Sequence, residues 1–406
     1  MRSTEKKAKP TKRSLVQKKP ANVGIELNTS KFKEMVGRAV KGASFKSILP
    51  ITAMMAIELK DNCLTLTTTD YTNYLYIRED KIEGDDFYAV VLVDTFAKLI
   101  SRMTCETIKL IMRSNALEVQ GNGKYLIDLQ QEDDGSIIRF PNPMDGVEFE
   151  PLEDNIHLST VLSVLNTAKS ALATTLEVPC YTGYYCGERI VATDSQKMCG
   201  MEIQLWDEPR LIPPQLMNLL AVMTAEDISV DAYEDQLVFS SSDCTIYGRT
   251  LEGIEEFDIE AINGALDQEF PSSCKLKKSH IIQLLERLSL FVTSNDDGAV
   301  NLHFTKKGLE FSSKAMSGIE TIDYVESENF EEFSGIINVQ QFLTMIKSLA
   351  GDLVELHYGI ENAVKLVEGN TILELCLEFE GDEEDDSVPF NEDDEELDDE
   401  EVEDDE

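Results

Sequence analysis

The sequence predicts an α+β fold of three repeated domains, each with antiparallel sheets backed by two helices. Three observations predict it. The stretch from Leu49 to Ile77 reads as a β-hairpin that follows an amphipathic helix. The same order of elements returns twice, with helices starting about 125 residues apart, the length of a whole small domain. Each copy then continues into a second helix and further strands.

In the first copy Phe32, Met35, Val36 and Val40 fall at i, i+3, i+4 and i+8, one apolar helix face. Lys60-Asp61-Asn62 is a turn between two β-rich runs. Leu64 and Leu66 alternate with Thr65 and Thr67, the period of a half-buried strand. In the second copy a helix carries Leu158, Val161, Leu162, Leu165, Ala168 and Leu172, and strands surround a turn at Gly187-Glu188. In the third copy Ile281, Leu284, Leu285, Leu288 and Phe291 mark the helix, and the turn is Lys306-Lys307-Gly308.

The second halves repeat as well. Helical stripes run through Leu92 to Met103, Leu216 to Met223 and Phe342 to Leu349, the middle one opened by Pro213-Pro214. Three strands follow each stripe, the last of them Thr371 to Phe379. The domains read as 22–150, 151–273 and 274–380, with Phe140-Pro141 and Phe270-Pro271 ahead of the second and third, and Asn263-Gly264-Ala265 in the linker. Residues 1–21 form a basic tail and 381–406 an acidic tail, both with disordered composition.

The chain has 406 residues and a formal net charge of −41. Residues 382–406 carry 18 acidic and no basic side chains, and residues 1–21 carry 8 basic and 1 acidic. Removing the tails' −18 and +7 leaves −30 on the residues between. Such a surface repels nucleic acid as a whole, so any DNA contact has to be local. The eight cysteines lack CxxC spacing and read as buried, reduced thiols; the four histidines lack ligand spacing, so no metal or cofactor is implied. No apolar run reaches the roughly 18 residues of a membrane span, and the lysine-rich start is not a signal peptide. A cytoplasmic protein with no membrane contact is expected.

No catalytic residues are assigned. GxSxG, a glycine-rich phosphate loop and HExxH are all missing. Asp70 and Asp194 recur at matching strand ends, where an Asp caps the following turn. Basic residues gather on the helices: Lys31, Arg38 and Lys41 on the first, Lys46 in the loop after it, and Lys98 and Arg102 on the second. Lys277 and Lys278 open the third-domain helix, Arg287 lies within it, and Lys347 is on the last. As a set they suggest helices facing phosphates, a contact independent of sequence. Taken singly, each also fits an ordinary solvated face.

The chain resembles the bacterial DNA polymerase III beta subunits, the sliding clamps, over roughly residues 22 to 380. Leu49-Pro50-Ile51, Leu64 to Asp70, Ile190 to Asp194 and the two Phe-Pro pairs carry the resemblance through their order. The charged tails and loose motif match point to a phage-encoded version. The resemblance implies a closed ring with helices lining the hole, made of two chains head to tail. It implies double-stranded DNA, a DNA polymerase and a clamp loader as partners, and no enzymatic activity. Lys46 is the counterpart of a family residue that touches DNA, whereas the family's paired aromatics fall on Val178 and Pro179. A partner-peptide pocket between domains two and three would be walled by Cys180, Thr193, Ser195, Lys197, Met198, Pro271, Leu373 and Leu375. Ser195 and Gln196 replace the usual Gly and His, so a peptide preference different from the family's is expected. An acidic scaffold or DNA mimic that never encircles DNA is the alternative reading, favoured by the −30 and disfavoured by the helix-borne lysines. The acidic tail, with Val388-Pro389-Phe390, would screen the pocket or simply aid solubility.

Overall fold

The computed structural model describes residues 24–292, 298–313, 318–360 and 362–377. Both charged tails, Val388-Pro389-Phe390 and the end of the strand expected to reach Phe379 lie outside the described residues.

The helices are α1 (Thr29–Ala39), α2 (Val93–Ser101), α3 (Leu158–Ala168), α4 (Pro214–Leu219), α5 (Ile259–Leu266), α6 (Lys278–Leu288) and α7 (Val339–Ser348). Six of them are the helices that the periodicity predicts. Asn28 caps α1 and Asn338 caps α7 with their side-chain oxygens, and Pro213-Pro214 opens α4. The seventh, α5, stands where Asn263-Gly264 reads as a linker. Asp258 caps it through the Ala261 amide, and Gly264 faces open space, so the glycine costs helix propensity without blocking the helix.

Every strand pairing is antiparallel, in four sheets. The hairpin of Met54–Lys60 and Cys63–Thr69 turns through Asp61 and Asn62, both at positive φ (53° and 63°), the conformation of a type I′ turn. Asp70 accepts from the Thr72 and Asn73 amides, and Asp194 from those of Gln196 and Lys197. Both carboxylates therefore cap turns.

Two sheets run across domain junctions. Tyr74–Asp80 pairs with Cys244–Arg249, putting Tyr74 opposite Tyr247. Lys197–Met201 pairs with Thr371–Cys376, putting Met198 opposite Glu374. The two junctions share one register. Tyr74 and Met198 each pair within their own domain with the threonine before the capping Asp, Thr69 and Thr193. Tyr247 and Glu374 each pair with the third residue of the preceding strand, Val238 and Lys365. The same two positions occur once more, unpaired across a junction, one on the third domain and one on the first. Ile319 pairs with Ser312 on the third and Leu126 with Glu118 on the first, and each lies on an edge strand with no further partner among the described residues. Ile319 is 51% exposed and Leu126 69%.

One large core lies between the sheets and the helices, built from residues such as Leu66, Phe96, Leu165, Phe311 and Phe342. Smaller clusters cover the opposite sheet face, among them Cys180, Val191, Phe257, Ile262 and Leu266 beneath α5. All eight cysteines are free thiols, and burial pushes Cys244 and Cys274 up to about 12.

Candidate nucleic-acid interface and peptide pocket

The six helices other than α5, with the short helical turns that extend them, carry nine lysines and arginines against three acids, Glu34, Asp94 and Glu286. That excess stands out on a chain whose net charge is −41. Domain two contributes little to it, since Lys169 is the one cation of its α3 and α4 surface.

The predicted cations fall into three groups. Lys41, Lys46, Arg102 and Lys277 are exposed and form no ion pair among the described residues. Lys31 meets Glu79 at 3.4 Å, Lys98 meets Asp94 at 2.8 Å, and Lys347 meets Glu286 at 2.7 Å. Arg287 Nε donates to Glu320 at 2.8 Å. These pairs are exposed, so each is worth about 0–1 kcal/mol and can be exchanged for a phosphate.

Arg38 and Lys278 are held differently. Arg38 Nε donates to the Val222 carbonyl at 2.7 Å and Nη1 meets Asp243 at 2.6 Å, across the junction of domains one and two. Its side chain is only 15% exposed. Burial would raise the Asp243 carboxyl, but Arg38, with Ser241 and Thr224, holds it below the ordinary carboxylate value. Arg38 is thus a bolt between domains and not a free surface cation. Helical spacing alone could not separate it from Lys31 and Lys41. Lys278 is half-buried, with its ammonium on the Leu349 carbonyl. Lys33 and Lys169, which apolar spacing does not single out, complete the helix charge.

The same position recurs at the next junction. Arg38 and Thr167 are each the tenth residue of their helix, and Thr167 Oγ1 donates to the Ser348 carbonyl at 3.2 Å. Val222 and Ser348 each stand four residues before the carbonyl that receives the first amide of the preceding long helix, Glu226 for Leu158 of α3 and Asp352 for Lys278 of α6. In the third repeat these places belong to Arg287, tenth in α6, and Arg102, four before Glu106.

The expected pocket residues divide across the sheet. Thr193 and Met198 face the cluster under α5, which includes Cys180. Ser195 sits exposed in the turn beside them at φ 77°, and Lys197 is buried with its ammonium on Asp194. Leu373 and Leu375 do not join them. Strand alternation turns both into the helix-side core, while Ile372 and Glu374 face α5. Pro271 is also elsewhere: it packs on Gly359, three strands or roughly 14 Å from the final strand. The α5 side adds residues that the linker reading conceals. Ile259, Ile262 and Leu266 lie at i, i+3 and i+7, and Phe257 stacks on Tyr185 at 5.1 Å and meets Tyr181 edge-on at 5.2 Å.

Lys365 fixes α5 to this sheet. Its ammonium donates to the carbonyls of Leu266 at 2.9 Å and Gln268 at 2.7 Å, at the C-terminal end of α5, and lies 4.5 Å from the Phe270 ring centre. Glu374 stands 3.6 Å away, and both side chains are 6% exposed. Burial pulls the Lys365 ammonium below its ordinary value and pushes the Glu374 carboxyl above its own.

The chain is similar in structure to the beta subunit from DNA polymerase of Streptococcus pyogenes, with a TM-score of 0.77 at 18% identity, over 87% of this chain and 99% of that one. It is similar to the DNA polymerase III beta subunit of Thermotoga maritima, with a TM-score of 0.76 at 17% identity, over 88% and 99%. It is similar to the DNA polymerase sliding clamp of Bacillus subtilis, with a TM-score of 0.74 at 14% identity, over 88% and 100%. No protein-family model matches the sequence, and no curated protein does. The fold is therefore that of the DNA polymerase III beta subunits, α+β with repeated clamp domains. Among the described residues, no helix is long and apolar enough to cross a membrane.

Proposed function

We propose that this protein is a DNA sliding clamp, a non-catalytic processivity factor that encircles double-stranded DNA and tethers a DNA polymerase. The observation that carries the reading is the repeated junction. Two junctions within the chain use one register, and the third and first domains carry the two halves of another, Ile319 and Leu126. A second copy placed head to tail satisfies both halves, so two chains of three domains, 22–150, 151–273 and 274–380, close a ring. The six helices of each chain other than α5 then line the hole. Lys41, Lys46, Arg102 and Lys277 are the cations freest to meet phosphate, with Lys31, Lys98, Arg287 and Lys347 available by exchange. Tethering works by effective concentration: a held polymerase rebinds before it diffuses away. Polymerase and clamp loader would dock by short peptides on the face around Thr193, Met198 and α5. A cytoplasmic location fits this role.

The test is topological. The protein, loaded by its cognate loader, should stay on nicked circular plasmid and run off after linearisation. An acidic scaffold would show no such difference. Lys46→Glu with Lys98→Glu and Arg102→Glu should weaken DNA association and reduce its salt slope by about one for each phosphate no longer neutralised. Met198→Asp should abolish binding of a partner-polymerase peptide, because it places an unpaired charge in an apolar site. Full peptide affinity in that variant would reject the pocket.

A further inference from the structure

Domain one holds a cleft of about 410 Å³ at the start of α1. Its floor is apolar, made by Leu27, Phe32, Met35 and Leu64, with Ile82 at one side. Its rim carries three carboxylates, Glu26, Glu79 and Asp80, and two ammonium groups, Lys31 and Lys81. The rim continues into the loop that carries Glu83, Asp85 and Asp86. Glu26 is paired with Lys109 at 2.8 Å and Glu79 with Lys31 at 3.4 Å. Asp80, Glu83, Asp85 and Asp86 are exposed and form no ion pair among the described residues.

The described chain begins at Gly24, beside this loop. Ile25 and Gly84 form a β-bridge, and a Cβ on Gly84 would lie 3.3 Å from the Gly24 carbonyl oxygen. The segment before Gly24 is complementary to the cleft. Thr11 to Lys19 places the apolar pair Leu15-Val16 between two basic pairs, Lys12-Arg13 and Lys18-Lys19. Val16 is eight residues from Gly24, a reach of up to about 27 Å. Glu26, Leu27 and Asn28 line the cleft within four residues of Gly24, so the reach is ample.

We propose that this cleft is the docking site for the chain's own segment Thr11 to Lys19. Leu15 and Val16 fill the apolar floor, and the flanking lysines and arginine meet Asp80, Glu83, Asp85 and Asp86. The contact is intramolecular and independent of ring closure. Partly exposed charge pairs give it a strong salt dependence.

Trypsin cleavage of the full chain tests it, with cuts after Lys12, Arg13 and Lys18 followed by mass spectrometry at early times; the Lys19–Pro20 bond resists trypsin. Docking with an equilibrium constant of about ten slows these cuts about tenfold at low salt, because cleavage tracks the open fraction. Leu15→Asp with Val16→Asp should remove the protection, and so should Asp80→Asn, Glu83→Gln and Asp85→Asn together. Asp80, Glu83 and Asp85 are exposed and outside every core cluster, so that variant keeps the fold. Equal cleavage rates in the parent and both variants would overturn the proposal. Protection that grows with protein concentration would overturn it too, by assigning the cleft to the segment of a second copy.

Discussion

Lys365→Met is expected to cost about 3–5 kcal/mol, the penalty for leaving a buried charge without its partner. The ammonium is the only cation facing Glu374 among the described ion pairs, and it also holds two carbonyls at the end of α5. Methionine fills the volume, so the loss is electrostatic and not a cavity effect. The midpoint of thermal unfolding should fall, and hydrogen exchange should rise first in α5 and the final strand. A second change supplies the control. Lys365→Met with Glu374→Leu removes both charges and should recover most of the loss. Equal destabilisation in the single and double variants would contradict this account. The pH dependence has a definite sign. Glu374 is already raised by burial, and loss of Lys365 raises it further. The folded form then binds a proton more tightly than the unfolded form, so stability falls as pH rises through the folded value. The defect should therefore shrink toward acid pH.

Ile319→Pro is expected to abolish the proposed ring dimer and leave a folded monomer. The Ser313 amide donates to the Gly318 carbonyl, so antiparallel alternation turns the Ile319 amide away from its neighbouring strand. Proline there removes no internal ladder bond and is tolerated on an edge strand. It does remove a donor that, in the proposed ring, would face Leu126 of a second copy. It also removes an apolar side chain that would cover Leu126. Native mass measurement should give a species near twice 45.5 kDa for the parent and near 45.5 kDa for the variant. A variant that remains dimeric would exclude this edge as the interface. Leu126→Asp attacks the opposite edge and should have the same outcome.

Much of this architecture was legible in the residues. Six helices were marked by apolar spacing, and the Asp70 and Asp194 turns by their place after threonine-rich strands. The Asp61-Asn62 turn was equally plain, since both residue types tolerate positive φ. Helix α5 was hidden because Asn-Gly is a strong turn signal that tertiary burial of Ile262 and Leu266 overrides. Which face a strand residue takes was the harder problem. Leu373 and Leu375 look like pocket residues beside a polar neighbour, yet that neighbour, Glu374, is the one turned toward α5 and neutralised by Lys365. The role of Arg38 depended on Asp243 and Val222, some 200 residues away, a distance at which spacing carries no information.

The shared register has a consequence for how such a chain could be rebuilt. If every seam is the same, each domain turns the chain through an equal share of the circle, and the closing number belongs to the domain and not to the polypeptide. Cutting between domains two and three, or fusing two chains in tandem, would then change the count of molecules per circle and leave its diameter alone. A tandem fusion would keep one seam without a covalent backing, and that seam would set how long the proposed ring stays closed.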